Sequence, residues 1–153
     1  MRKTLTVILF ALLSASYVHA QLEKVLHQSF DLNSISNINL ELYGEYEIEK
    51  WAGNSILTET TVQIYDATPG IFKHFIKDGR YGIEADLTDG NIQLKSTDNE
   101  RVAIRRKNPE GEGYKECYEF VKLRIFVPDD FKVVDQTQLV RDTPSEATTS
   151  KEN

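Results

Sequence analysis

From Leu22 onward the chain alternates apolar and polar residues with a period of two, the pattern of half-buried β-strands. Ile38, Leu40 and Leu42 alternate with polar neighbours up to Gly44. Tyr46 and Ile48 then continue the apolar face, with Glu45, Glu47 and Glu49 on the other. Ile56, Thr58, Thr60, Val62 and Ile64 form one face of a further strand rich in threonine and β-branched residues, which suit a pleated surface. Asp89-Gly90 between two alternating runs predicts a type I′ hairpin with Leu87 opposite Ile92, Ala85 opposite Leu94 and Glu84 opposite Lys95. A strand is expected over 101–107, with Val102 and Ile104 on one side and Arg101 and Arg105 on the other. Another runs from Tyr118 to Val127, with Val121, Leu123, Ile125 and Val127 facing one way. Tyr118, Phe120, Lys122, Arg124 and Phe126 face the other.

The β rhythm breaks once, at Thr68 to Gly79. Thr68 can cap a helix, Pro69 suits its first position, and Gly79 can end it. Ile71, Phe72, Phe75 and Ile76 share one side, so a short amphipathic helix docked on the sheet is expected. The fold class that follows is mainly β: a small antiparallel sheet or sandwich, or a short solenoid-like domain, with this one helix.

Residues 1–20 have a different character. Arg2 and Lys3 precede an apolar run from Leu5 to Leu13, and Val18 and Ala20 stand at −3 and −1 of a cleavage position. This is the layout of a secretory signal peptide cut after Ala20, and the run falls well short of the ~20 residues that span a bilayer. The domains expected are the signal peptide (1–20), a β-rich domain (21–135) and a disordered polar tail (136–153). No membrane span is expected after cleavage. Gln21, as the new N-terminus, offers no lipidation cysteine. A periplasmic, extracellular or cell-surface location follows.

Loss of Arg2 and Lys3 moves the formal charge from −6 to −8. Nucleic acid and anionic membranes attract clustered Lys and Arg, so neither is an expected partner. Cys117 is the single cysteine and can form no internal disulfide; a small buried side chain is favoured over a reactive thiol.

The order of elements resembles the adhesin-like bacterial envelope domains of the head GIN family. The likeness covers about Phe30 to Val134. It rests on the strand–glycine–strand unit Leu40-Glu41-Leu42-Tyr43-Gly44-Glu45-Tyr46-Glu47-Ile48 and on Val121-Lys122-Leu123-Arg124-Ile125-Phe126-Val127-Pro128. The resemblance implies an exported, β-rich contact module and supplies no catalytic residues. Such domains continue into further stacked strands, whereas this chain turns polar at Asp135, so an open sheet edge around Tyr118–Val127 is expected to self-associate or meet a partner.

The chemistry-bearing residues point the same way. His27 and His74 belong to no metal-spaced motif, and no nucleophile elbow, P-loop or dinucleotide glycine pattern is present. No catalytic, cofactor-binding or metal residues are therefore expected, no cofactor, and no enzyme. Glu45, Glu47 and Glu49 would need further ligands for calcium or a partner acid for glycoside hydrolysis; a solvated strand face balanced by neighbouring cations is favoured. Asp86, Asp89 and Asn91 are better explained by a turn than by a calcium loop. Arg101, Arg105, Arg106 and Lys107 offset nearby acids more readily than they build an anion site. The row of Tyr118, Phe120, Lys122, Arg124 and Phe126 is the candidate partner or ligand face; equally, Phe72 and Phe75 of the helix would bury it. The function expected is a non-enzymatic envelope or surface protein acting through protein contacts. The alternative is a small glycan- or peptide-binding protein using the aromatic and basic strand faces.

Overall fold

The structure, a computed structural model, describes residues 21–142. The expected signal peptide and residues 143–153 of the expected tail lie outside the described residues. Eleven strands are described: β1 (Leu22–Asp31), β2 (Asn37–Glu41), β3 (Tyr46–Trp51), β4 (Ser55–Tyr65), β5 (Ile83–Thr88), β6 (Asn91–Ser96), β7 (Arg105–Lys107), β8 (Tyr114–Glu116), β9 (Tyr118–Pro128), β10 (Phe131–Val133) and β11 (Gln138–Arg141). Helix α1 (Pro69–Lys77) lies between β4 and β5. No helix among the described residues is long and apolar enough to cross a membrane.

The first sheet has the order β1-β4-β9-β3 and the second β10-β11-β2-β6-β5, with β7-β8 a separate pair. Most pairs are antiparallel, but β2 runs parallel to β6 and β3 parallel to β9. The chain passes from the second sheet to the first between β2 and β3, and again between β6 and β9. These two passages stack as successive turns of a solenoid would, within a molecule that is otherwise a mainly antiparallel sandwich.

Alternation dictates the core. Ile38, Leu40, Ile92, Leu94 and Leu139 of the second sheet meet Ile56, Leu123, Ile125 and Val127 of the first, with Phe131 among them. Each fully buried aliphatic side chain here contributes about 1.5–3 kcal/mol relative to exposure. A smaller cluster joins Val62, Ile64, Tyr81, Ile104 and Cys117, and α1 closes it with Ile71, Phe72, Phe75 and Ile76. Thr68 Oγ1 accepts from the Ile71 amide, and Gly79 takes φ 76° after the last turn. At nine residues α1 depends on this docking.

The β5–β6 hairpin has the expected register, and Asp89 and Gly90 both take positive φ. Lys95, however, pairs with Glu41 of β2 at 3.2 Å rather than with Glu84, because β2 lies on its other side. The strand expected over 101–107 is shorter. Asp98 Oδ1 accepts from the amides of Glu100 and Arg101, turning the chain, so that only 105–107 pair with β8. Val102 is exposed while Ile104 enters the core.

The tail expected from 136 is part of the fold as far as Asp142. Asp135 Oδ1 accepts from the amides of Thr137 and Gln138, setting up β11 between β10 and β2. Leu139 is fully buried, and Arg141 lies over the Phe131 ring while donating to the carbonyls of Ile35 and Leu32. One apolar side chain and one many-donor arginine anchor a segment too polar to suggest a strand.

The expectation of an open edge at Tyr118–Val127 is corrected for Leu123–Val127, while Tyr118–Lys122 pairs with β4 alone among the described residues. β9 is interior, with β4 along one side and β3 along the other from Leu123 onward. The edges are β1, β3, β5 and β10, and each carries a guard of the kind that deters edge pairing. Lys24 sits exposed in the inward row of β1, opposite Val62. The Gln28 amide both donates to and accepts from the backbone of Ile83 (2.8 and 2.9 Å), bridging β1 to β5. Acidic residues line β5 (Glu84, Asp86) and β3 (Glu47, Glu49), and β10 has three residues.

Candidate interaction face

The outward row of β9 is the sequence-predicted face, and the structure places all five of its residues on the outside of the first sheet. The β4 register sets their neighbours: Phe126 opposite Leu57, Arg124 opposite Glu59, Lys122 opposite Thr61, Phe120 opposite Gln63 and Tyr118 opposite Tyr65. The row divides into two halves with different chemistry.

Its C-terminal half is an ion network. Arg124 donates to both carboxylate oxygens of Glu49 (2.8 and 3.1 Å) and to Glu59 (3.0 Å), and its guanidinium lies 4.8 Å from the Phe126 ring centre. Those hydrogen bonds hold the Glu49 and Glu59 carboxyls below the usual carboxylate range and raise the Arg124 guanidinium above its own. His27 reaches Glu59 at 3.4 Å, and Lys122 reaches Glu47 at 3.4 Å. Glu47 and Glu49 are thus balanced by cations one strand away. Phe126, half-buried beneath Arg124, does not offer a free ring face.

The N-terminal half is bare. Tyr118 is 66% exposed and Phe120 58%, and Tyr65 and Val25 extend the apolar surface across β4 and β1. The helix does not cover them: α1 follows β4 onto the inner face, where Phe72 and Phe75 meet the cluster of Val62, Ile64 and Tyr81. Gln63 borders the patch, donating to Glu23 (2.6 Å) and accepting from the Tyr65 hydroxyl (3.2 Å). On the β3 side, pairing starts only at Tyr46 opposite Leu123. A shallow groove of about 380 Å³ remains there, lined by Glu45, Tyr46, Glu47 and Phe120 to Leu123.

A second cluster, missed in the sequence, lies on the inner side of the same strand. Glu119 is the one acid in the inward row of β9. Its Oε2 accepts from the Tyr81 hydroxyl (2.7 Å) and Arg80 Nε (2.9 Å), and its Oε1 lies 3.7 Å from Arg101 Nη1. Arg80 also donates to Asp98 (3.0 Å) and the Val102 carbonyl (2.8 Å). The Arg101 guanidinium sits 4.5 Å from the Tyr43 ring centre and 5.2 Å from that of Tyr81, with its side chain 5% exposed. Burial, then Glu119, pushes the Tyr81 hydroxyl well above its ordinary value, and burial lowers the Arg101 guanidinium. The carboxylate of Glu119 is spent on internal donors, so the cluster ties α1 and the 97–104 loop to β9. The sequence signal was a lone acid in an otherwise apolar row.

The basic residues at 101–107 do not converge: Arg101 joins this cluster, whereas Arg105, Arg106 and Lys107 lie along the β7–β8 hairpin. His74 lies on the surface of α1, 3.3 Å from Asp78 and with its ring centre 5.2 Å from that of Phe75. Asn91 donates to the Thr88 and Asp89 carbonyls, which explains that polar set as turn chemistry. Cys117 is buried, its thiol 3.4 Å from the Asp66 carbonyl and raised by burial. Among the described residues, no three His, Cys, Asp or Glu side chains form a group able to hold a metal ion. Compared with models of known families, with curated proteins and with solved structures, the chain has no match.

Proposed function

We propose that this chain is an exported, non-enzymatic envelope or surface module that binds a protein partner through the Tyr118–Phe120 corner of its first sheet. The observation that carries the reading is the uncovered aromatic pair near the start of β9, where the strand pairs with β4 on one side only. Two large rings held in solvent by a well-packed sheet have no role in the fold, and exposed aromatics concentrate where partners dock. The guards on β1, β3, β5 and β10 favour a contact made by the face rather than by strand addition at those edges. A peptide-binding variant of the same reading is supported by the groove beside Phe120. The export reading rests on residues 1–20 of the sequence, and β1 begins at Leu22, immediately beyond the expected cut. The adhesin-like character rests on the family resemblance.

The test is the variant Tyr118→Ser with Phe120→Ser, compared with the unaltered chain for co-purification from the envelope fraction. Both residues are exposed, so folding should be preserved, as circular dichroism would show. Loss of specific partners from the folded variant supports the reading, and an unchanged partner set overturns it.

A further inference from the structure

The aromatic corner has carboxylates on two flanks. On the β1 side Glu23 holds Gln63, which faces Phe120 across the sheet. On the β3 side Glu45 and Glu47 line the groove whose other wall is Phe120, Val121, Lys122 and Leu123. Glu45 forms no ion pair with any described residue. Among the described residues Glu47 is engaged only by Lys122, in a pair more than half exposed on both sides and therefore weak and readily exchanged. Lys122 is the cation that lines this groove.

We infer that the groove between Glu45, Glu47 and Phe120 receives lysine or arginine side chains of a basic segment on the protein partner, an inference that rests on the contact reading above. Charge complementarity and shape both favour this occupant. A long cationic side chain has an apolar stem that packs against the exposed Phe120 ring, and a charged head for the Glu45 and Glu47 carboxylates. Glu45 and Glu47 are two residues apart on extended chain, about 7 Å, which matches alternate side chains of an extended peptide. The net negative charge, −6 over the full chain and −8 after the expected cut, draws a basic partner from a distance, and the same field disfavours an anionic lipid surface.

The probe is the peptide acetyl-Lys-Ala-Lys-Ala-Lys-amide, titrated at low salt against the folded protein while backbone amide shifts are followed by NMR. Saturable shifts are expected at Glu45–Glu47 and Phe120–Leu123. Glu45→Gln with Glu47→Gln should weaken binding by roughly tenfold, the order expected when charge-assisted contacts are removed. A control variant, Glu84→Gln with Asp86→Asn on β5, removes the same charge from the other sheet and should leave binding unchanged. Absence of saturable shifts, equal weakening by the control, or equal shifts from the corresponding glutamate peptide would overturn the inference. If the peptide fails while the Tyr118/Phe120 variant still loses its envelope partners, the basic chemistry is wrong and the contact face stands.

Discussion

Glu119→Gln is the substitution that bears most on how the fold is held, because it removes one charge and almost no volume. In the native chain that carboxylate compensates two guanidiniums whose side chains are 8% and 5% exposed, Arg80 and Arg101. It also accepts the Tyr81 hydroxyl, and Tyr81 is itself buried. The glutamine keeps one acceptor oxygen but leaves Asp98 as the only acid on Arg80 and none on Arg101. Breaking a buried ion pair by removing one partner costs about 3–5 kcal/mol, because the remaining charge stays desolvated. Against a total of about 5–15 kcal/mol this is a large fraction. With a urea slope of about 2 kcal/mol/M, mid-range for a small domain, the midpoint should fall by roughly 1.5–2.5 M. Equilibrium urea unfolding followed by circular dichroism measures it. Should the variant fail to fold, adding Arg101→Met removes the orphaned charge and should recover part of the loss. A midpoint within 0.5 M of the native one, roughly the scatter of exposed substitutions, would refute the reasoning and make the cluster ornamental.

Three further outcomes follow from the packing. Thr58 Oγ1 is buried without a hydrogen-bond partner, so Thr58→Val should raise stability by about 1 kcal/mol, read as an upward shift of the same urea midpoint. A side chain at Gly53 would overlap the Trp51 ring, whose Nε1 donates to the Ser55 carbonyl at 2.9 Å. Gly53→Ala should therefore displace the indole, shift the emission of the single tryptophan and lower stability by about 1–3 kcal/mol. The Glu49 and Glu59 carboxyls titrate below their unfolded values because Arg124 binds their charged forms. Their contribution is complete above the ordinary carboxylate range and is lost as pH falls through their lowered values. Thermal midpoints should thus fall on acidification below about pH 4.5, and Glu49→Gln together with Glu59→Gln should flatten that limb.

The strands were legible wherever one face is buried and the other wet, since burial then enforces alternation. The β5–β6 register could be written down from Asp89-Gly90 because a two-residue turn leaves a single pairing that puts Ile92 and Leu94 inside. The helix showed itself through Thr68, Pro69 and Gly79 together. What stayed hidden depended on contacts distant in sequence. β11 carries one core residue, Leu139, and is fixed by a turn at Asp135 and by Arg141 reaching Leu32 and Ile35, none of which leaves a local pattern. The parallel pairings of β2 with β6 and β3 with β9 join segments more than fifty residues apart, so β9 read as an edge. At the candidate face, the outward direction of Tyr118, Phe120, Lys122, Arg124 and Phe126 was readable from the period of two. That Arg124 and Phe126 are engaged with each other and with Glu49 and Glu59, while Tyr118 and Phe120 stay uncovered, required knowing which strands lie alongside and where the helix lands.

A contact made through the Phe120 corner, as proposed, differs from general stickiness of exposed apolar residues in being confined to one site. Leu87 provides the matched comparison, being 62% exposed on the second sheet. A photo-crosslinking amino acid placed at 120 or at 87, in cells expressing the full chain, tests the claim directly. A discrete, reproducible adduct is expected from position 120 and none from position 87. Equal adducts from both positions, or an adduct only from 87, would contradict it.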